Sequence, residues 1–242
     1  MGFSINKIFQ FTRHYKQDIL IAAILGLIFS CVSYHNAKQV PAVVFEGKYL
    51  DIWFESDSPR VYKNMILHDS DYSRAKVHPL FALVAYPQVY VVKKVFGCDP
   101  LTAVRLVISS VGFFWIMAFF ALLRMMKCQR FDSVLLSLLA TESAGAVFFF
   151  AIPETYPFGS LSLLLAFLIL AISQKQVLSP LWYVLVNIAT LSITTSNWML
   201  GILVTMINHR FWRTVMIVSA GFVLTVAFWG LEKLFFRRQV FF

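Results

Sequence analysis

Apolar runs close to or above the roughly 18 residues that make a membrane-crossing helix recur along the whole chain, and this removes most folds from consideration. A segment surrounded by hydrocarbon must satisfy its own backbone polar groups, which leaves helices or the strands of a closed barrel. The alternating segments of about ten residues that mark a barrel are absent. The runs are instead continuous in Leu, Ile, Val and Phe, so the expected fold is all-α, a polytopic transmembrane bundle in one domain spanning 1–242. Hydrophobic residues make up 59% and charged residues 14%, which leaves no stretch suited to a second, soluble domain.

Seven spans are expected, near 19–35, 101–123, 131–152, 156–172, 181–195, 198–208 and 214–231. Lys7, Arg13 and Lys16 precede the first span and predict a cytoplasmic N-terminus. No small-residue cleavage pattern follows that span, so it reads as retained. The chain then emerges into a polar loop over 37–100, which holds Glu46, Asp51, Glu55, Asp57, Asp69, Asp71 and Asp99, seven of the twelve acidic residues. Arg124, Lys127 and Arg130 close the second span on the inside, Pro153-Glu154-Thr155 marks an outer turn, and Lys175 suits an inner loop. Near Ser196-Asn197 two topologies compete. A hinge gives two short spans and an outer tail, whereas one fused helix puts the tail inside. Asn197 and its hydroxyl neighbours are costly at a helix centre and favourable in a turn, so the hinge is preferred.

The net charge of +9 does not point to nucleic acid, because the basic residues lie between apolar runs with no interleaved stacking aromatics. They read as topology signals and contacts to anionic membrane lipids. Cys31, Cys98 and Cys128 are too scattered for a thiolate metal site. The chain also lacks a phosphate-cradling glycine loop, a paired-His motif and a Gly-x-Ser-x-Gly elbow.

Inside the loop, Ser58-Pro59 predicts a helix start with Ser58 as cap, and Val61, Tyr62, Met65 and Ile66 form an apolar stripe. His78-Pro79 opens a second interfacial helix that ends at Lys93, Lys94 and Gly97. The order of Phe54-Glu55-Ser56-Asp57-Ser58-Pro59-Arg60, Arg74-Ala75-Lys76-Val77-His78-Pro79-Leu80, Phe96-Gly97 and Ala103-Val104-Arg105-Leu106 resembles the GT-C superfamily of membrane glycosyltransferases. The likeness is greatest to bacterial relatives of the protein mannosyltransferases and of the aminoarabinose transferase, and it covers about residues 15–175.

That resemblance implies transfer of a sugar from a polyprenyl-phosphate carrier to an acceptor at the outer face of a bacterial inner membrane. It implies a loop carboxylate that takes the acceptor's proton or helps hold a divalent metal ion, with Asp57 the first choice and Glu55 the second. Asp57 reads equally as a helix-start residue favoured by the dipole. Arg60, Arg74, Lys76 and His78 are candidates for the lipid phosphate, Arg74 foremost because a guanidinium grips phosphate with two bonds. The same four also suit plain headgroup anchors. Arg105 is a further phosphate candidate that can snorkel, and Glu154 matches a second acid facing the cavity or a solvated loop acid. Glu142, inside an apolar run, reads as shallowly placed or paired. The chain is short for the class, so a minimal module, a fragment and a half that needs a partner subunit all remain open. A non-catalytic subunit that binds lipid-linked sugar and a lipid or solute transporter are the competing readings.

Overall fold

The computed structural model describes the backbone of residues 5–45, 56–70 and 77–236 and, apart from 5–15 and 233, their side chains. Among these residues the chain is helical throughout, with no strand. In order come α1 (Ile5–Gln39), α2 (Ser58–Ile66), α3 (Phe81–Phe96), α4 (Pro100–Met125), α5 (Arg130–Thr141), α6 (Ala144–Phe149), α7 (Tyr156–Ser173), α8 (Pro180–Ile193), α9 (Trp198–Asn208) and α10 (Phe211–Phe235). Short 3-10 turns at Ala42–Phe45 and Thr195–Asn197 join some of them.

Local chemistry sets several of these boundaries. Gly97, at φ +60°, ends α3 in the left-handed region that a side chain disfavours. Two residues on, the Asp99 carboxylate accepts from Thr102 N–H at 3.1 Å, and Pro100 opens α4 with its fixed φ. The start of α2 falls one residue earlier than the Ser58 cap predicts. Asp57 occupies the cap position and Ser58 is already helical, yet the Asp57 carboxylate turns away from the helix end to pair with Arg60. The expected apolar stripe of α2 is used, since Val61 and Met65 are buried against the core.

Four stretches are long and apolar enough to cross a bilayer: Lys16–Gln39, Pro100–Met125, Tyr156–Ser173 and Phe211–Glu232. They mark the chain as a membrane protein. The other three expected spans are built differently. The run at 131–152 is broken at Glu142-Ser143 into α5 and α6, because Ser143 Oγ accepts from Ala146 N–H at 3.3 Å and starts a new helix. α8 and α9 have 14 and 11 residues, each short of the ~20 that span hydrocarbon.

The hinge at 194–197 is a fold-back. A continuous helix would hold residues 187 and 205 about 27 Å apart. Instead Asn187 Nδ2 donates to Thr205 Oγ1 at 2.9 Å and lies 3.4 Å from the Gly201 carbonyl, while Trp198 Nε1 donates to Asn187 Oδ1 at 3.0 Å. α9 therefore runs back along α8, as the turn-forming character of Asn197 predicts.

Small residues allow the close approaches that helix association in lipid depends on. A Cβ on Gly26 of α1 would lie 2.7 Å from the Phe113 ring of α4, and one on Gly201 would lie 2.5 Å from Thr190 Oγ1 and 3.2 Å from the Asn187 backbone. Gly201→Ala is therefore expected to destabilise the bundle by about 1–3 kcal/mol, the usual cost of overpacking. Gly145→Ala, where an added Cβ meets nothing within 4 Å, should be close to neutral. Thermal unfolding of both variants in one detergent checks the contrast, and equal stabilities would contradict the packing.

α4 is the central element, with α1, α3 and α7 against it, while α8 packs against α7, α9 and α10. Asp18 of α1 receives Arg124 of α4 and Arg130 of α5 at one end of the bundle. The Tyr183 and His209 rings meet at 4.6 Å, which places the start of α8 beside the end of α9. Phe236, just past α10, packs on His68 and Tyr86 at 5.3 and 5.5 Å, so α10 finishes beside the loop helices α2 and α3. Arg124, Lys127, Arg130, Lys175, Arg210 and Arg213 thus share the end away from the loop, called the cationic end below.

Candidate functional site

Two helix breaks and the loop converge on a cavity of about 570 Å³ at the loop end. Asp57, His78 and Glu154 all line it, from three separate places in the chain. Its floor reaches Trp115 in the middle of α4, and its side is formed by Ser143, Gly145, Ala146 and Phe149 around the α5–α6 break. Thr194, Ser196 and Asn197 of the fold-back complete the wall. Non-helical backbone at this depth is tolerated where it lines a polar cavity, and both breaks do so.

Backbone pairing positions His78. Thr195 N–H donates to the Val77 carbonyl at 3.0 Å and Leu80 N–H donates to the Ser192 carbonyl at 2.8 Å. His78 Nδ1 donates to the Ile193 carbonyl at 2.7 Å, which fixes both the tautomer and the ring plane. The His78-Pro79 step therefore docks the loop onto the fold-back, and the helix expected to open there starts later, at Phe81 with Leu80 at its cap position, because residues 77–80 form a turn held by these bonds. Asn197 ties the other side, with Nδ2 donating to the Gly159 carbonyl at 2.9 Å and to Ser162 Oγ at 3.3 Å in the first turns of α7.

The two acids sit in unlike environments. Asp57 is ion-paired with Arg60 and partly exposed. Glu154 is 2% exposed, and its Oε2 accepts from Thr155 N–H at 3.2 Å. Its Oε1 has no hydrogen-bond partner among the described residues. Burial pushes the Glu154 carboxyl up to about 7, and the Asp57 charge adds to the rise. The Thr155 and Asp57 amides and the Arg60 cation oppose it. Near neutral pH the Glu154 carboxyl thus exchanges its proton beside Asp57 in its ion pair with Arg60.

No family model, curated protein or solved structure matches the chain. The site is therefore read on its own chemistry. Of the other candidates, Glu55, Arg74 and Lys76 lie outside the described residues. Arg60 does not itself line the cavity but is ion-paired with Asp57, which does. Arg105 is directed elsewhere: its guanidinium donates to the Val40 carbonyl at 2.8 Å, just past the C-terminal end of α1, and it does not line the cavity. Glu142 is exposed at the α5–α6 break. Among the described residues no group of three or more His, Cys, Asp or Glu side chains could hold a metal ion.

Sequence reasoning passed over two features. The wall formed by Ser143, Thr194 and Asn197 was visible as hydroxyl and amide residues interrupting apolar runs. Asp18 was visible too, as the only acid in the first 45 residues, but its two arginine partners lie more than 100 positions away.

Proposed function

We propose that this chain is a membrane glycosyltransferase that moves a sugar from a polyprenyl-phosphate carrier to an acceptor hydroxyl at the loop end of the bundle. In a bacterial inner membrane with the N-terminus in the cytoplasm, that end is the outer face. The reading rests on one observation: Asp57, His78 and Glu154 line a single cavity whose floor is aromatic and whose rim is polar.

Glu154 carries the reacting proton. As the acceptor oxygen bonds to the anomeric carbon, the bond from that carbon to the phosphate oxygen breaks, the acceptor's proton passes to Glu154, and polyprenyl phosphate leaves with the bonding pair. A carboxyl near 7 is well matched to this task, because it is substantially ionised at neutral pH and still a competent base. The Asp57 charge helps keep Glu154 basic, and Arg60 holds Asp57 in place through their ion pair. The cationic side chains of the loop, with Arg74 and Lys76, supply the positive field for the leaving phosphate. The long hydrocarbon chain suits Trp115, Phe149 and Phe150 deeper in the cavity.

Membranes carrying the chain, supplied with radiolabelled polyprenyl-phosphate sugars and a panel of lipid and protein acceptors, should form labelled product. Asp57→Asn and Glu55→Gln should each be compared with the wild type. Full activity in both variants removes the loop acids from the mechanism, and no product with any acceptor rejects the transferase.

The two interrupted helices that flank the cavity favour a second reading, a lipid or solute carrier, since discontinuous helices form many transporter sites. Net movement of lipid-linked sugar across proteoliposomes with no glycosidic product would select it.

A further inference from the structure

A second cavity, of about 410 Å³, lies at the opposite, cationic end of the bundle, between α1, α4 and α7. Ile19, Ala22, Met117, Phe120, Ala121 and Ile172 make its walls apolar. Arg124, Lys175 and Gln176 stand at its rim beside Asp18. A volume of this size flanked by three helices that cross the bilayer opens to lipid, so the occupant it suits is one with a hydrocarbon part and a polar head.

The charge at the rim decides the kind of head. Asp18 is buried and already receives two guanidinium groups, Arg124 Nε at 2.9 Å and Arg130 Nε at 2.6 Å. Arg124 also donates to the Cys128 carbonyl, which pins it across the opening. One carboxylate against two arginines leaves a positive excess, and the exposed Lys175 adds to it. Gln176 offers an amide N–H beside Lys175. A phosphate diester on a glycerol lipid matches this rim, with its negative charge toward Lys175 and Arg124 and an acyl chain along the Phe120 and Met117 wall. A zwitterionic headgroup brings its own cation into the same excess and is disfavoured. Inorganic phosphate gains nothing from the apolar walls, which favours the lipid as the source of the anion.

We infer that the cavity between α1, α4 and α7 is a binding site for one anionic glycerophospholipid of the leaflet at the cationic end, held by Lys175 and Arg124. The site is separate from the Asp57–His78–Glu154 cavity and does not depend on what that cavity does. It gives the Asp18 cluster a role beyond joining three helices, because the ion pairs hold Arg124 where a headgroup meets it.

The test uses the full chain, purified and delipidated in mild detergent, titrated with phosphatidylglycerol or phosphatidylcholine and read by native mass spectrometry. Wild-type protein should retain one phosphatidylglycerol in clear preference to phosphatidylcholine. Lys175→Glu reverses one exposed charge and should weaken that retention about thirtyfold, two steps of the roughly fivefold that one interfacial cation supplies. Arg213→Glu makes the same change in net charge at the same end, on α10 and away from the cavity, and should shift retention less than about twofold. Ala121→Phe, which fills the cavity, should displace the lipid with the rim charges intact, and 5 mM inorganic phosphate should not compete. Equal retention of the two lipids by the wild type, equal losses in Lys175→Glu and Arg213→Glu, or competition by inorganic phosphate would each overturn the site.

Discussion

Replacing Glu154 by Gln is expected to cut the proposed sugar transfer by orders of magnitude and, at the same time, to make the protein more stable at alkaline pH. The first effect follows from the loss of the group that accepts the proton in the proposed transfer, and a reduction of about 10²–10⁴-fold is the ordinary range. The second follows from linkage. The Glu154 carboxyl is raised from 4.5 to about 7 by burial, so between those values the folded chain binds a proton that the unfolded chain has released. Stability therefore falls as pH rises from about 4.5 to about 7 and stays low above it. The full effect is about 3 kcal/mol at pH 8. Glutamine keeps the shape, carries no charge and removes the cost. Thermal unfolding from pH 4.5 to 8 should show a sloping midpoint for the wild type and a flatter one for the variant, while transfer activity in the wild type rises through pH 7. A variant with unchanged activity and an unchanged pH profile would move the proton chemistry away from Glu154. Gain in stability with loss of activity from one substitution is the signature of a functional group held in an unfavourable place.

Removing Asp18 should produce the largest loss of stability in the molecule. Its carboxylate is buried at the junction of three helices, and Asn at this position would leave Arg124 and Arg130 facing each other with no counter-charge. Breaking a buried pair on one side usually costs 3–5 kcal/mol, and about 3 kcal/mol is expected here because the Arg130 side chain is 44% exposed and partly screened. Asp18→Asn combined with Arg130→Gln should recover part of that loss, since the two sites share an interaction and their effects cannot add. Chemical denaturation in mixed micelles measures both. A single variant within about 0.5 kcal/mol of wild type would mean that the cluster is no more than a surface contact.

These two acids illustrate how far residue patterns reach. Glu154 was conspicuous as a lone acid in the outer turn after Pro153, where it read equally as a cavity-facing acid, on the resemblance, or as a solvated loop acid. Its burial was not legible, because that depends on Asp57 and the α6 and α7 segments closing around it. Asp18 stands in the sequence beside Lys16, yet both of its arginine partners come from distant elements. Arg105 shows the reverse case. Its place early in a span permitted a phosphate contact, while the structure gives its guanidinium to the Val40 carbonyl. The break at Glu142-Ser143 lies in a run that hydropathy alone treats as one span. Ser143 interrupts it through a capping hydrogen bond, a local effect that hydropathy does not weigh.

What the amino-acid sequence determined by itself was the solvent, the helical class, the concentration of acid in one loop, the basic character of the opposite end and the hinge at Asn197. Each is a property of composition, spacing or a few adjacent residues, so it survives without knowledge of neighbours. The tertiary structure alone decided which polar groups meet. The partnership of Asp57, His78 and Glu154, the ion cluster at Asp18 and the two cavities all arise where helices remote in sequence pack together. Such contacts depend on crossing angles and close approaches at residues such as Gly26 and Gly201, and no one-dimensional pattern encodes those.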